Sequence, residues 1–177
     1  MMKKRIFSYR WLRTGLAYAA AAAASLSVST AQTNDNDLTA AILINFARFT
    51  TWPDQALTSN ELKVCVPQGD EELTSVHKLT GKRVKDRIVS VRYFDHNSDQ
   101  PMGCHIAVLS DAFPTLPAHM DKGTLVVALG EEVASEHTSL ILITIGRQTR
   151  FIVNLTAARK QGISLRASLV DLAVKVY

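Results

Sequence analysis

The chain contains two short apolar runs that each carry one cysteine: Leu62-Lys63-Val64-Cys65-Val66 and Cys104-His105-Ile106-Ala107-Val108-Leu109. Pro67 follows the first run, and Pro101 and Gly103 precede the second. Apolar runs bounded by such turn residues are typical of buried strands. The sequence has no other cysteine. In an oxidising compartment these two thiols therefore have one possible pairing.

The first 31 residues have the pattern of a secretory signal peptide. Five Lys and Arg side chains precede an Ala-rich run at residues 14–28, and small residues follow at Ser29-Thr30-Ala31. The run is shorter than the roughly 20 apolar residues that span a bilayer. We therefore predict cleavage after Ala31 and export of residues 32–177, which have the length of one domain.

Net charge gives no support for binding to nucleic acid or to an anionic membrane. The whole chain carries a formal charge of +4 and has a sequence pI near 9.2. Five of its 20 Lys and Arg lie in the predicted leader, whereas all 16 Asp and Glu lie after it, so the exported chain would carry −1. The basic pI therefore belongs largely to the leader.

The order of predicted elements indicates an α/β domain over residues 37–177, preceded by a disordered polar tail at 32–36. Apolar spacing and cap residues predict helices at 37–49, 70–79, 113–122, 155–160 and 165–176. Strands are predicted at 61–66, 87–94, 104–109, 124–129, 139–145 and 149–153. The link Gly146-Arg147-Gln148 predicts an antiparallel hairpin. We expect about six strands in a mixed, mostly parallel sheet flanked by helices.

Motifs for nucleotide or acyl-transfer chemistry are absent from the sequence, so no enzyme activity and no cofactor are predicted. The chain has no G-x-G-x-x-G, no Walker pattern and no G-x-S-x-G elbow. Ser110-Asp111 is interpreted as a helix cap. Cys104 and His105 are consecutive on a strand and point to opposite faces, which disfavours a shared metal ion. A structural disulfide and a redox-responsive disulfide both remain open.

Five residues are candidates for a partner or ligand surface: Asn45, Phe49, Trp52, Arg87 and Asn154. Phe49 lies on the apolar stripe of the first predicted helix, which favours a core position. Trp52 lies in a turn before proline and is a candidate for lining a groove. Asn154 is more simply a helix cap than a ligand contact.

Four motifs in this order resemble the YfiR family of bacterial periplasmic regulators. The first, Asn45-Phe46-Ala47-Arg48-Phe49-Thr50-Thr51-Trp52-Pro53, is similar to the family's N-F-x-x-F-x-x-W-P. The second joins Val64-Cys65-Val66 to the basic segment at residues 81–88, and the third is Cys104-His105-Ile106. The fourth begins at Arg150 and continues to Ala173.

The resemblance implies a dimer-forming α/β domain in the periplasm that binds and represses an inner-membrane diguanylate cyclase. It also implies that an OmpA-like outer-membrane lipoprotein can remove the repressor and release cyclic di-GMP synthesis, which controls biofilm formation. The family places the partner of Cys65 at Cys104. A periplasmic protein that binds a small molecule is the alternative function, because an aromatic cluster near Trp52 would suit a ligand cleft.

Overall fold

A computed structural model describes residues 35–95, 103–116 and 121–177. The predicted signal peptide and the first residues of the predicted tail lie outside the described residues. Residues 117–120 of the predicted helix at 113–122 are not described either, and the described residues 113–116 and 121–122 are not helical.

The described residues contain three α-helices and two 3-10 helices. Helix α1 spans Asp35–Phe49, α2 spans Leu155–Lys160 and α3 spans Ala167–Val170. Two 3-10 helices lie at Asp54–Ala56 and Thr74–Leu79. The first and fourth predicted helices are thus confirmed, and the second is replaced in part by a 3-10 helix.

Ten strands lie in the described part of the chain. The long strands are β2 (Glu61–Pro67), β4 (Arg87–Phe94), β5 (Ile106–Leu109), β6 (Leu125–Leu129), β7 (Leu140–Ile145) and β8 (Gln148–Val153). The short strands are β1 (Thr50–Thr51), β3 (Arg83–Val84), β9 (Ser164–Leu165) and β10 (Lys175–Val176). All six predicted strands are present, whereas sequence patterns did not predict the four two-residue strands.

The main sheet has eight strands in the order β10-β8-β7-β6-β5-β2-β4-β3, and β1 pairs with β9 in a small antiparallel sheet. Neighbours in the main sheet are parallel except β7 with β8 and β3 with β4. The mostly parallel α/β sheet and the late antiparallel hairpin are therefore confirmed. Five neighbouring strands of the sheet, in the order β4-β2-β5-β6-β7, have doubly wound topology. The direction of winding reverses between β2 and β5.

The two faces of the sheet bury separate hydrophobic clusters because side chains alternate along each strand. On one face, Val64, Ile106 and Leu125 pack in the core that includes Leu43 and Phe46 of α1. On the other face, Leu109, Val126, Ile141 and their neighbours form a second cluster. The central strands are thus covered on both sides, which explains why their sequences are almost continuously apolar.

Two predictions near the ends of strands are wrong. Residues 165–176 do not form one helix: α3 has four residues and is flanked by β9 and β10. The helical spacing there is interrupted because Leu165 pairs with Thr50 and Val176 pairs with Val153. Ser110 caps no helix either, since it forms a tight bridge with Phe113 through both backbone groups.

Candidate functional site

Four of the five candidate surface residues lie at the edge of the fold where the parallel strands begin, which we call the amino edge. Phe49 ends α1, Trp52 follows β1 and Arg87 begins β4. Asn154 follows β8, which runs antiparallel and therefore ends at the same edge. Strands are about 4.8 Å apart, and β8 is five strands from β4. Asn154 and Arg87 therefore share an edge without sharing a contact.

Trp52 is a buried anchor of the amino edge, with 7% of its surface exposed. Its indole N–H donates a hydrogen bond to the backbone carbonyl of His105 at 3.1 Å. The indole also meets the His105 imidazole edge-on, with ring centroids 6.4 Å apart. A buried Trp normally needs such a partner for its N–H. The side chain thus joins the end of the first motif to the start of β5.

His105 uses both ring nitrogens to hold neighbouring backbone. Its Nδ1 accepts a hydrogen bond from the Lys63 N–H at 2.8 Å, so Nε2 carries the proton and donates to the Ala56 carbonyl at 2.8 Å. Burial lowers the pKa of His105 below its usual value, and the charges of Lys63 and Arg87 act in the same direction, although the Ala56 contact opposes them. The sequence analysis considered His105 as a metal ligand and missed this structural role.

Arg87 and two glycines complete the support of the loop that follows Trp52. The Arg87 guanidinium donates to the backbone carbonyl of Ser59 and, at 3.5 Å, to that of Leu57. A Cβ on Gly123 would lie 2.6 Å from the Ala56 Cβ. A Cβ on Gly162 would lie 3.7 Å from the Pro53 ring. Three separate chain segments therefore pack against this loop.

The Cys65–Cys104 disulfide is present, with 5.9 Å between the two Cα atoms. Cys65 and Cys104 expose only 1% and 5% of their surfaces and pack with Phe94. The bridge fastens the segment before β5 to the middle of β2, across a sequence separation of 39. Both sulfur atoms therefore belong to residues with little surface accessible to soluble reductants or partner thiols.

The remaining candidates have local contacts. Asn45 is exposed on α1, and its amide oxygen accepts a hydrogen bond from Arg48 at 3.3 Å. Phe49 is half-buried against the main core. The Asn154 side chain accepts the N–H of Ala157 at 2.9 Å, which confirms that it caps α2. A partner role for these three residues stays a prediction.

A groove of about 590 Å³ opens at the opposite, carboxyl edge of the sheet. It lies between the first turns of α1 and the β7–β8 hairpin, and its charged residues are Glu72 and Arg147. Nearby, buried Asp70 follows β2, and its carboxylate accepts the Ser110 O–H and, at 2.9 Å, the Glu72 N–H. Doubly wound sheets bind ligands at the carboxyl ends of strands where the winding reverses, and sequence reasoning did not identify this edge.

Within residues 35–95, 103–116 and 121–177, no group of three His, Cys, Asp or Glu side chains is arranged to hold an ion.

Comparison with known proteins places the chain in a family. The sequence profile of the YfiR/HmsC-like family matches residues 36–174. This chain belongs to the YfiR/HmsC-like family. A search of curated proteins found no significant match.

The YfiR/HmsC-like match covers all described helices and strands except Asp35, the first residue of α1, and strand β10. At the level of the family, the chain is a periplasmic regulator of cyclic di-GMP signalling, and the family's role is regulatory rather than enzymatic. No helix among the described residues is long and apolar enough to cross a membrane. The first YfiR-like motif forms the end of α1, β1 and the Trp52 anchor.

Proposed function

We propose that this protein is an exported repressor that binds the periplasmic domain of an inner-membrane diguanylate cyclase. Binding holds the cyclase in its inactive state and lowers cyclic di-GMP synthesis. The observation that carries the proposal is the match of the YfiR/HmsC-like profile to residues 36–174. A repressor of this kind needs only a surface whose affinity differs between the active and inactive states of the cyclase.

Export through the leader at residues 1–31 is part of the proposal, because the periplasmic domain of the cyclase lies on the outer side of the inner membrane. The repressor acts as a homodimer, and an OmpA-like outer-membrane lipoprotein removes it from the cyclase. Removal by a competing partner works only if that partner binds the same or a coupled surface. The amino edge is the candidate surface because four of the five residues singled out from sequence lie there.

The disulfide has a structural role in this proposal. A redox switch requires that thiols or reductants reach a sulfur atom, and both cysteines are buried. The bridge instead keeps β2 and the start of β5 together, which preserves the backbone that His105 and Trp52 hold.

The alternative function, binding of a small molecule, is favoured by the groove at the carboxyl edge. Its volume lies within the range of ligand pockets, and it contains both apolar side chains and one Arg. A thermal-shift screen distinguishes this alternative. Saturable stabilisation by one compound, lost in Arg147→Ala, would favour ligand binding as the primary role.

The deciding experiment measures cellular cyclic di-GMP in the host after deletion of the gene and after restoration from a plasmid. We expect a rise on deletion that the full-length gene reverses. A gene that encodes only residues 32–177, without the leader, should fail to reverse it. An unchanged cyclic di-GMP level, with the protein demonstrably expressed and exported, would contradict the repressor function.

A further inference from the structure

Positive charge is concentrated around the junction between α1 and β1. Arg48 lies in the last turn of α1, and the Arg166 backbone N–H donates to the Phe49 carbonyl at 2.9 Å. The Lys85 ammonium donates to the Thr50 carbonyl at 2.8 Å. Arg83 lies on β3, two residues before Lys85. We call these four cations the junction patch: Arg48, Arg83, Lys85 and Arg166.

No carboxylate among the described residues forms an ion pair with the junction patch. All four residues are exposed. The ion pairs among the described residues involve Lys78, Arg92, His137 and Lys160, and none involves the patch. Arg48 donates only to an uncharged amide, that of Asn45. Asp86 lies close enough to Lys85 for its charge to be felt, but no patch residue forms an ion pair among the described residues. Exposed cations without such a pair can bind a carboxylate from outside the chain.

The cations also affect one another. The pKa of Lys85 lies below its usual value, first because its ammonium is partly buried and then because Arg166 repels it, while Asp86 opposes the shift. Lys85 has a φ of 55°, a left-handed backbone conformation that is strained for a residue other than glycine. The fold thus holds a Lys in a strained turn beside another cation.

The chemistry of the patch favours an acidic protein surface over a lipid surface. Three of its four residues are Arg, whose planar guanidinium pairs with a carboxylate through two parallel hydrogen bonds. Arg is enriched in protein–protein interfaces, whereas Lys is depleted there. A bilayer attracts Lys and Arg about equally through its surface potential.

We propose that the junction patch is the docking surface for an acidic face of the cyclase's periplasmic domain. This inference rests on the proposed function and adds to it the location and the charge of the interface. The patch extends the amino edge beyond the residues singled out from sequence, which include only one cation, Arg87. That guanidinium is already engaged by the Leu57 and Ser59 carbonyls.

The test measures binding of the exported protein to the purified periplasmic domain of the host's diguanylate cyclase, by biolayer interferometry. The variant R83E/R166E reverses two patch charges. The matched control R147E/R150E reverses two exposed arginines at the β7–β8 hairpin, on the opposite edge of the sheet. Thermal unfolding of both variants verifies that they fold. If R83E/R166E does not fold, the milder variant R83Q/R166Q takes its place.

We expect R83E/R166E to slow association at least about tenfold at low salt, because opposite charges steer encounter. The deficit should shrink in 0.5 M NaCl, where the Debye length falls to about 4 Å, and R147E/R150E should bind as the wild type does. Equal effects of the two variants, or no effect of either, would overturn the docking surface and leave the repressor function intact. Failure of the wild type to bind would overturn both.

Vesicles of phosphatidylglycerol and phosphatidylethanolamine provide a second measurement. One result would show that the patch contacts lipid: the wild type co-sediments with the vesicles, R83E/R166E does not, and the two proteins bind the cyclase domain equally. That result would contradict the proposed docking surface for the cyclase.

Discussion

Trp52 donates its indole N–H to the carbonyl of His105, and the imidazole of the same His105 holds the loop that Trp52 begins. The two residues are separated by 53 positions. Each contact depends on the other because both fix the backbone at the start of β5. The Trp-Pro end of the YfiR-like motif is therefore a structural anchor of the amino edge.

Replacement of Trp52 by Ala should lower the free energy of unfolding by about 3–5 kcal/mol, because the buried indole leaves a cavity. Trp52→Phe retains much of the apolar volume and loses the hydrogen bond to His105, so we expect a loss of about 1–3 kcal/mol. Urea unfolding at pH 7 measures both. The control is Tyr93→Ala, at an exposed position on β4. Equal stability of Trp52→Ala and Tyr93→Ala would contradict the anchor role.

Stability should decrease as the pH falls below about 6.5, the usual pKa of His. The folded pKa of His105 is lower than this value, so between the two pKa values the unfolded chain takes up a proton that the folded chain does not. Stability is therefore complete above pH 6.5, is lost as the pH falls, and levels off below the folded pKa. Protonation at Nδ1 would also place a donor against the Lys63 N–H.

The measurement is urea unfolding from pH 7.5 to 5.5 in wild type and in His105→Gln. The variant should be less stable at pH 7.5, and its free energy of unfolding should depend less on pH. His137→Gln, at an exposed position, should retain the wild-type pH dependence. If instead the stability of His105→Gln changes with pH as steeply as that of the wild type, His105 does not cause the pH dependence.

The disulfide should resist reduction in the folded protein and contribute substantially to its stability. Both cysteines are buried, so native protein treated with dithiothreitol and iodoacetamide should keep its mass, and the same treatment in denaturant should add two alkyl groups. The double variant Cys65→Ala/Cys104→Ala should be less stable by about 4 kcal/mol in the chain-entropy account of a loop of this size. Rapid alkylation of the native protein would favour a redox-responsive bridge.

Gly123 should not tolerate a side chain. Gly123→Ala places a Cβ 2.6 Å from the Ala56 Cβ and imposes a φ of +87° on alanine, so we expect a loss of about 2–4 kcal/mol from steric overlap and backbone strain together. Gly146→Ala, with a φ of +64° and no atom within 4 Å, isolates the strain and should cost about 1 kcal/mol. Thermal unfolding of the two variants gives the difference, and equal melting temperatures would exclude the overlap.

The sequence predicts the long elements well because their patterns are strong and local. Strands β5 and β6 are apolar throughout and β7 is nearly so, since both faces of the sheet are covered there. The hairpin between β7 and β8 is likewise encoded by Gly146 and its neighbours. The capping role of Asn154 follows from the helix that begins directly after it. None of these features requires knowledge of a distant part of the chain.

The candidate site was predicted less well. Trp52 and Arg87 were singled out for a surface, yet the structure uses the first as a buried anchor and the second as a clamp on two carbonyls. Whether they also influence a partner remains a prediction. The junction patch was not predicted because its cations come from α1, from the β3–β4 hairpin and from the residue before α3. No sequence window contains all of them.

Local periodicity, turn residues and the two cysteines thus determined the helix α1, the six long strands, the late hairpin and the only possible disulfide within the chain. The tertiary structure decided the four two-residue strands, the order of the sheet, the tautomer of His105 and the clustering around Thr50 of cations that form no ion pair among the described residues. The physical reason is the separation along the chain of the residues that determine each feature. Helix and strand patterns arise from neighbours a few residues apart, whereas two-residue strands, ring tautomers and charge clusters form only when distant segments meet.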